Sequence, residues 1–302
     1  MRHSAASRED ARMTKSKRPF VDAHIHLWDS ITNPWYAFPV PGSDWGLGLR
    51  DHFPARFLSA DYRQAVASMD VRKCVHVTAV TDSKDAAAES RWLEAIAQAE
   101  PLICATVGTV DLAASFNEIE RVLDRAMASP RFRGIRMLGG MDYDDRLCQG
   151  LLQTLARRNL VYDAVTHFDK GIAAAATALR RHEDLTVVLE HCGWPSVHGS
   201  DQFISWRREL GEFAALPNTY CKLSGVGMWT HQSESRVLGT YYQACIDLFG
   251  PERCMFATNF PVDLSYGHAD AVFEAFEAVA QKFSAREQTA LFEGVAERVY
   301  RI

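Results

Sequence analysis

Short apolar runs and longer helical patterns alternate along almost the whole chain. The runs are continuously apolar and rich in Val, Ile and aromatic residues, as strands buried on both faces are. Eight such runs cover residues 20–28, 73–80, 102–112, 132–138, 160–168, 186–193, 218–226 and 254–261. Helical stretches lie between and after them at 61–70, 89–100, 116–129, 145–158, 170–182, 202–216, 237–250, 269–283 and 286–300. This alternation predicts an α/β fold, a single (β/α)8 TIM barrel.

A doubly wound open sheet is the alternative fold, but no GxGxxG motif follows the first predicted strand. The 302 residues suffice for one barrel of roughly 250 residues. Residues 1–19, MRHSAASREDARMTKSKRP, are polar and basic and lack the apolar segment of a secretory signal. We therefore expect a disordered tail over 1–19 and a barrel domain over 20–302.

Charge and cysteine usage narrow the class of protein. The formal charge of −5, from 33 basic and 38 acidic residues, argues against binding nucleic acid. No apolar run reaches the roughly 18–20 residues of a membrane helix. The seven cysteines are odd in number and form no CxxC pair, which indicates free thiols. We expect a cytoplasmic protein that acts on a small molecule.

The segment 29–53 interrupts the alternation. It is rich in Pro, Gly and aromatic residues and follows the first strand, so in a barrel it would lie over the catalytic face. Long loops in compact domains are often lids or binding loops. A plain surface excursion is the alternative, and an interface in a homo-oligomer is left open.

Polar side chains collect at the predicted ends of several strands. In the run Asp22-Ala23-His24-Ile25-His26, alternation places His24 and His26 on one face, about 6–7 Å apart. Such a pair can bind one metal or one oxyanion, although strand histidines are also often structural. The other strand ends supply His167, His191 and Asn259, with Asp263 just beyond. Carboxyl ends of barrel strands converge at one face, so these groups predict a functional site.

Cations and aromatic rings complete the candidate site. Arg136, near the end of the fourth strand, suits a substrate carboxylate, with a structural ion pair as the alternative. Lys222 lies within an apolar run and either faces the mouth or pairs with a carboxylate. Trp28 and Trp194 can stack on a substrate ring or pack in the core.

The segments DAHIHLWD, LEHCGWP and MFATNFPVD resemble the amidohydrolase-related hydrolases of the amidohydrolase superfamily. The branch of sugar-acid lactonases and 2-pyrone-4,6-dicarboxylate or muconolactone-type lactonases is especially similar. The resemblance runs from about residue 19 to the last residue and implies a barrel that hydrolyses an ester or amide, above all a lactone. It also implies that His24 and His26 are the first-strand pair and His191 the sixth-strand histidine, which would be the ligands if one divalent zinc or manganese ion is bound.

One position departs from that family. Its eighth strand normally ends in an aspartate that acts as general base, whereas this chain has Asn259, and an amide cannot accept a proton near neutral pH. Either Asp263 or His191 would then be the base, or the chain is not a hydrolase of the usual kind. The fourth strand, RGIRML, has no lysine at its end, so a dinuclear centre on a carboxylated lysine is not expected. Because the branch includes metal-free lactonases, metal dependence stays open.

The leading hypothesis is a hydrolase that opens a lactone, of the sugar-acid type or the carboxylated pyrone or muconolactone type, by attack of an activated water. In it, His24 and His26 hold the carbonyl oxygen, while His191 and Asp263 activate a water that Asn259 orients. Arg136, His167, Trp28, Trp194 and Lys222 would bind the substrate. The alternatives are a metal-dependent decarboxylase of the same superfamily and a degenerate barrel that binds a small acid without turnover.

Overall fold

The computed structural model describes residues 18–36, 54–79, 86–166, 171–195 and 199–302. Within these ranges eight parallel strands follow one another in chain order around one sheet. Backbone hydrogen bonds join its two edges, with Asn259 N donating to His24 O at 2.9 Å and His26 N donating to Phe260 O at 2.8 Å. The strands are β1 Pro19–Ile25, β2 Asp70–Val77, β3 Ile103–Gly108, β4 Phe132–Arg136, β5 Val161–Ala164, β6 Val187–Leu189, β7 Thr219–Leu223 and β8 Cys254–Phe256. The predicted (β/α)8 barrel is confirmed, and the open-sheet alternative is wrong.

Helices surround the barrel, and every predicted helical stretch overlaps one. They are α1 Ser59–Ala65, α2 Ala87–Ala99, α3 Phe116–Met127, α4 Arg146–Arg157, α5 Gly171–Leu179, α6 Ser200–Ala214, α7 Gly227–Thr230, α8 Ser235–Phe249, α9 Ala269–Ala280, α10 Ala285–Thr289 and α11 Val295–Tyr300, with a π-helical turn at Ala290–Gly294 between the last two. The short α7 was not predicted. Across the described ranges, no helix combines the length and apolar character needed to cross a bilayer.

A bulge in β1 directs His24 into the barrel. Strict alternation would give Asp22 and His24 the same face, yet the Asp22 carboxylate accepts a hydrogen bond from Tyr62 of α1, outside the barrel, at 2.7 Å. The pairing of β1 with β2 is irregular between Asp22 and Ile25, which reverses the alternation there. Asp22 also accepts hydrogen bonds from Thr258 N at 2.9 Å and Oγ1 at 2.6 Å, so it ties β1 to the segment after β8.

The C-terminal helix contributes to the barrel interior. Tyr300 of α11 is completely buried and shares one apolar cluster with Val21, Val75, Val161 and Met255. At the other end of the chain, residues 1–17 lie outside the described residues. Arg18 and Pro19, which the sequence placed in the tail, belong to the fold, since Arg18 pairs with Glu277 at 2.8 Å and Pro19 begins β1.

The base of the long loop after β1 is a short antiparallel pair, Trp28–Asp29 with Arg56–Phe57. The remainder of the predicted lid, residues 37–53, lies outside the described residues. All seven cysteines lie in the described ranges, none of them in a disulfide, and six of them are buried.

Candidate active site

Three imidazoles meet at the carboxyl ends of the strands. His24 Nε2 lies 3.1 Å from His26 Nε2, and the ring centroids of His24 and His191 are 4.5 Å apart. Burial lowers the pKa of all three histidines well below the ordinary value, and the nearby Arg136 guanidinium lowers it further. The rings are therefore neutral near pH 7, and each keeps one nitrogen lone pair.

Neighbouring groups fix which nitrogen of each ring carries the proton. His26 Nδ1 lies 2.8 Å from the Val77 carbonyl, which only accepts, so the proton is on Nδ1 and Nε2 is free to accept. Lys222 Nζ, which only donates, lies 3.3 Å from His24 Nδ1. The proton of His24 is accordingly on Nε2, from which it is donated to His26.

His191 stands on a turn of unusual backbone conformation. Four consecutive residues have positive φ: His191 at 51°, Cys192 at 55°, Gly193 at 73° and Trp194 at 54°. Side chains disfavour this region, and such strain persists only where the surroundings stabilise it. Here Trp206 of α6 donates from Nε1 to the Cys192 carbonyl at 2.9 Å, and the Thr166 hydroxyl donates to the Gly193 carbonyl at 3.0 Å.

Two residues after β7 hold the His191 ring. Ser224 Oγ lies 2.9 Å from His191 Nδ1, which leaves Nε2 as the basic nitrogen when Nδ1 donates. Gly225 follows with φ +69°, and a Cβ at that position would stand 2.6 Å from ring atoms of His191. Only glycine permits this close approach.

Asn259 and Asp263 form a buried pair beside the histidines. Asn259 Nδ2 donates to Asp263 Oδ1 at 3.1 Å, and its Oδ1 lies 3.3 Å from His26 Nε2. The other carboxylate oxygen of Asp263 accepts from Gly225 N at 3.1 Å. Burial raises the pKa of Asp263 to about 7. Asp263 thus positions Asn259, whose amide oxygen faces the site.

A buried ion pair lies beneath His24. Lys222 Nζ donates to Asp163 Oδ2 at 2.5 Å, and the Tyr300 hydroxyl donates to the same carboxylate at 2.9 Å. Lys222 is completely buried. Of the two alternatives for Lys222, the structure favours pairing with a carboxylate, and its expected place at the barrel mouth is corrected. Hydrogen bonds therefore run from Tyr300 of α11 through Asp163 and Lys222 to His24.

Glu190 is a central residue that sequence reasoning missed. It precedes His191, is completely buried, and lies 3.3 Å from Arg136 through Oε2 and 3.4 Å from His24 Nδ1 through Oε1. Burial raises the pKa of Glu190 to about 7, against the opposing effects of Arg136 and Lys222. An acidic residue that interrupts the apolar run TVVLEH was the available signal.

Both terminal nitrogens of Arg136 bond to other groups of the protein. Its Nη1 contacts Glu190, and its Nη2 donates to the Thr78 carbonyl. The side chain is 4% exposed. These contacts correspond to the structural ion pair that the sequence left open, and Arg136 Nε has no hydrogen-bond partner among the described residues, so a contact with a substrate carboxylate stays a prediction.

The predicted aromatic residues separate into two groups. Trp28 is buried, donates from Nε1 to the Pro54 carbonyl at 2.8 Å and packs on Phe57, which is the core-packing alternative. Trp194 contacts His191 with ring centroids 5.3 Å apart, and Trp229 lies against Trp194 at the same separation. Trp194 and Trp229 therefore form an aromatic wall beside His191. His167 lies outside the described residues.

The donor set fits a divalent metal ion. Two nitrogen ligands on one tetrahedral zinc ion stand about 3.3 Å apart, close to the 3.1 Å between His24 Nε2 and His26 Nε2. Asn259 Oδ1 adds an oxygen donor at 3.3 Å from His26 Nε2. A second set, His24, Glu190 and His191, offers ligand atoms within 4.8 Å of one another. Both sets share His24, and the second contains Glu190 where the sequence suggested His26.

A parallel barrel with buried histidines at the carboxyl ends of its strands defines the class of TIM-barrel hydrolases that activate water with imidazole or metal. The chain belongs to the amidohydrolase family Amidohydro_2, whose model matches residues 21–302. This confirms the resemblance seen in the sequence motifs.

Individual relatives support the assignment over nearly the whole chain. The protein y4mH of Sinorhizobium fredii is 32% identical over 300 residues, which cover 93% of this chain and 98% of the relative. L-fucono-1,5-lactonase of Burkholderia multivorans is 29% identical over 300 residues, with 93% and 95% covered. A crystal structure of an amidohydrolase from Burkholderia multivorans with bound zinc has a TM-score of 0.79, 27% identity, and coverage of 94% of this chain and all of that chain.

Proposed function

We propose that this chain is a hydrolase that opens the ring of an uncharged sugar-acid lactone. The observation that carries the proposal is the cluster of three neutral histidines at the barrel mouth, one of which, His26, contacts Asn259 Oδ1. Similarity to L-fucono-1,5-lactonases over most of the chain supports a cyclic ester as substrate. A small-molecule substrate also fits the family.

Water attack follows from the arrangement of the side chains. Asn259 Oδ1 accepts one hydrogen bond from the attacking water, and His191 Nε2 removes its other proton as the oxygen bonds to the lactone carbonyl carbon. The Glu190 carboxylate, 3.7 Å from His191 Nε2, stabilises the imidazolium. The Nε2–H of His24, which donates to His26 Nε2 in the structure, would donate to the oxyanion instead as that charge develops. The ring C–O bond then breaks, and the imidazolium of His191 protonates the departing oxygen to give the hydroxy acid.

His191 rather than Asp263 is the base in this proposal, because both oxygens of Asp263 are bonded to Asn259 and Gly225. A bound divalent ion would be held by His24 and His26 with Asn259, or by His24 and His191 with Glu190, and would polarise the carbonyl and acidify water. The catalytic and metal-binding roles of these residues stay predictions.

The state of the cations favours an uncharged substrate. A lactone that bears carboxylates needs free cationic partners in the site. Arg136 is bonded to Glu190 and Thr78, and Lys222 is bonded to Asp163 and His24. Both predicted anion binders are therefore already paired with carboxylates of the protein, although Arg136 Nε has no hydrogen-bond partner among the described residues. The wall of Trp194 and Trp229, in contrast, suits the apolar face of a sugar ring.

The test is a comparison of lactones. Initial rates on sugar-acid 1,5-lactones and on 2-pyrone-4,6-dicarboxylate would be followed by acid release at constant pH, with the buffer rate subtracted. We expect turnover of the uncharged lactones and loss of it in His191→Asn. Preference for the dicarboxylate would refute the substrate class, and no hydrolysis of any lactone would leave the degenerate binder or the decarboxylase as the better hypothesis.

A further inference from the structure

His24 Nδ1 faces two groups of opposite hydrogen-bonding character. Lys222 Nζ, at 3.3 Å, can only donate, and the Glu190 carboxylate, with Oε1 at 3.4 Å, accepts. The hydrogen bond in the structure is the one from Lys222. Glu190 Oε1 has no hydrogen-bond partner among the described residues, although Lys222 Nζ lies 3.9 Å from it. All three side chains are completely buried, so water cannot easily replace either contact.

These contacts give His24 two self-consistent hydrogen-bonding patterns. In the first, Lys222 donates to Nδ1, and the proton on Nε2 is donated to His26 Nε2 at 3.1 Å. In the second, Nδ1 carries the proton and donates it to Glu190 Oε1 after a small shift of the carboxylate. The lone pair of His24 is then on Nε2, beside that of His26.

The two patterns differ in what they allow the site to bind. A metal ion needs an unprotonated imidazole nitrogen, and the partner of the other nitrogen decides which one that is. In the first pattern, Nδ1 is covered by an ammonium group and Nε2 holds a proton, so His24 is a hydrogen-bond donor. Only in the second pattern do His24 and His26 present two lone pairs to one ion.

We propose that Lys222 and Glu190 are opposing positioning residues that select the tautomer of His24 and thereby set its affinity for a divalent ion. Asp163 fixes Lys222 from below at 2.5 Å, and Arg136 fixes Glu190 at 3.3 Å, so each competitor has its own anchor. The inference rests on the proposed function only for the identity of the site. It is tested by zinc affinity and by the position of the ring proton, so the result does not depend on the outcome of the lactone assay.

Zinc affinity of the chelator-treated protein, measured by competition with a chromophoric chelator, separates this mechanism from simple charge effects. Lys222→Met should bind zinc about tenfold more tightly, and Glu190→Leu about tenfold more weakly than the unmodified protein. Glu190→Gln loses the charge but keeps an acceptor oxygen for His24 Nδ1, and should therefore bind zinc more tightly than Glu190→Leu. Equal weakening in Glu190→Gln and Glu190→Leu, or no gain in Lys222→Met, would overturn the proposal.

A measurement on the unmodified chain avoids dependence on the folding of these variants. Nitrogen-15 NMR of histidine-labelled protein distinguishes the two tautomers, and His24→Gln identifies the signals of His24. Without metal, His24 should be protonated on Nε2, and addition of zinc should move the proton to Nδ1. A proton on Nδ1 in the metal-free protein would contradict the role of Lys222.

Discussion

Asp263 holds the amide nitrogen of Asn259 at 3.1 Å, so the amide oxygen, and not the amide nitrogen, is turned toward His26. Asn259, which stands where the family has its catalytic base, is therefore a hydrogen-bond acceptor that the Asp263 carboxylate holds in place. Where the sequence resemblance led us to expect an aspartate at the end of the eighth strand, an amide faces the site and the acid lies behind it.

Exchange of these two groups tests whether their order matters. Asn259→Asp would place two carboxylates in contact, so one would take up a proton and the water would lose its fixed acceptor. We expect kcat to fall about 10²-fold, as for a misplaced reacting group. The exchanged pair Asn259→Asp with Asp263→Asn restores the hydrogen bond and should recover activity relative to the single variant. A rise in activity in Asn259→Asp alone would instead indicate a degenerate barrel.

The raised pKa of Asp263 links pH to stability and activity with opposite signs. The pKa of this carboxyl is raised from 3.8 to about 7, so between these values the folded chain keeps a proton that the unfolded chain has released. The free energy of unfolding should therefore fall as pH rises through that window, and Glu190, with a pKa of about 7, adds to the same trend. Ionised Asp263 is the form that holds Asn259, so kcat/KM should rise toward pH 7 and above. Urea unfolding and rate profiles against pH check both trends, and Asp263→Asn should flatten the rate profile if the rise belongs to Asp263 and not to Glu190.

Replacement of Arg136 distinguishes its two roles. Arg136→Met leaves the Glu190 carboxylate buried without its guanidinium, which should cost about 3–5 kcal/mol of unfolding free energy. If Arg136 only bound a substrate carboxylate, its replacement would raise KM and leave the free energy of unfolding unchanged. The double variant Arg136→Met with Glu190→Gln removes both charges and should be more stable than Arg136→Met alone. Denaturant titration of the three proteins decides between the roles.

Gly225 allows a prediction with a closely matched control. Gly225→Ala forces a methyl group to within 2.6 Å of His191 ring atoms and should lower kcat about 10²-fold by displacing that ring. Gly250 also has positive φ, at 78°, but a Cβ there meets no atom within 4 Å. Gly250→Ala therefore also introduces a side chain at positive φ, but without the contact. It should lose stability and keep its kcat; equal kcat in both variants would show that the position of His191 is not sensitive to Gly225.

Tyr300 should affect the site from the opposite side of the barrel. Tyr300→Phe removes a hydrogen bond to the Asp163 carboxylate, worth about 1.5–3 kcal/mol for a charged acceptor. It should lower thermal stability and, because the Asp163 carboxylate that pairs with Lys222 is then held less firmly, also lower kcat. Tyr242 is equally buried, and its hydroxyl has no partner among the described residues, so Tyr242→Phe should change neither. Loss of kcat in both variants would indicate general loosening of the fold.

The sequence predicted the barrel and the histidines because both depend on local patterns. Alternating apolar runs reveal buried strands, and the end of a barrel strand is a place where polar residues meet. Partners of buried charges cannot be identified in that way, since Lys222 and Asp163 are 59 positions apart and Tyr300 is 137 positions from Asp163. The bulge that turns His24 inward is likewise invisible to an argument from strict alternation.

The chain of contacts from Tyr300 through Asp163 to Lys222 also constrains how such a protein can change over evolution. Loss of either the buried ammonium or the buried carboxylate alone would leave the other charge without a partner and would cause a severe loss of stability. Substitutions at positions 163 and 222 should therefore covary among relatives, and the hydroxyl at 300 should disappear in lineages where that pair has been lost. Residue 300, in the C-terminal helix α11, therefore constrains the evolution of this site.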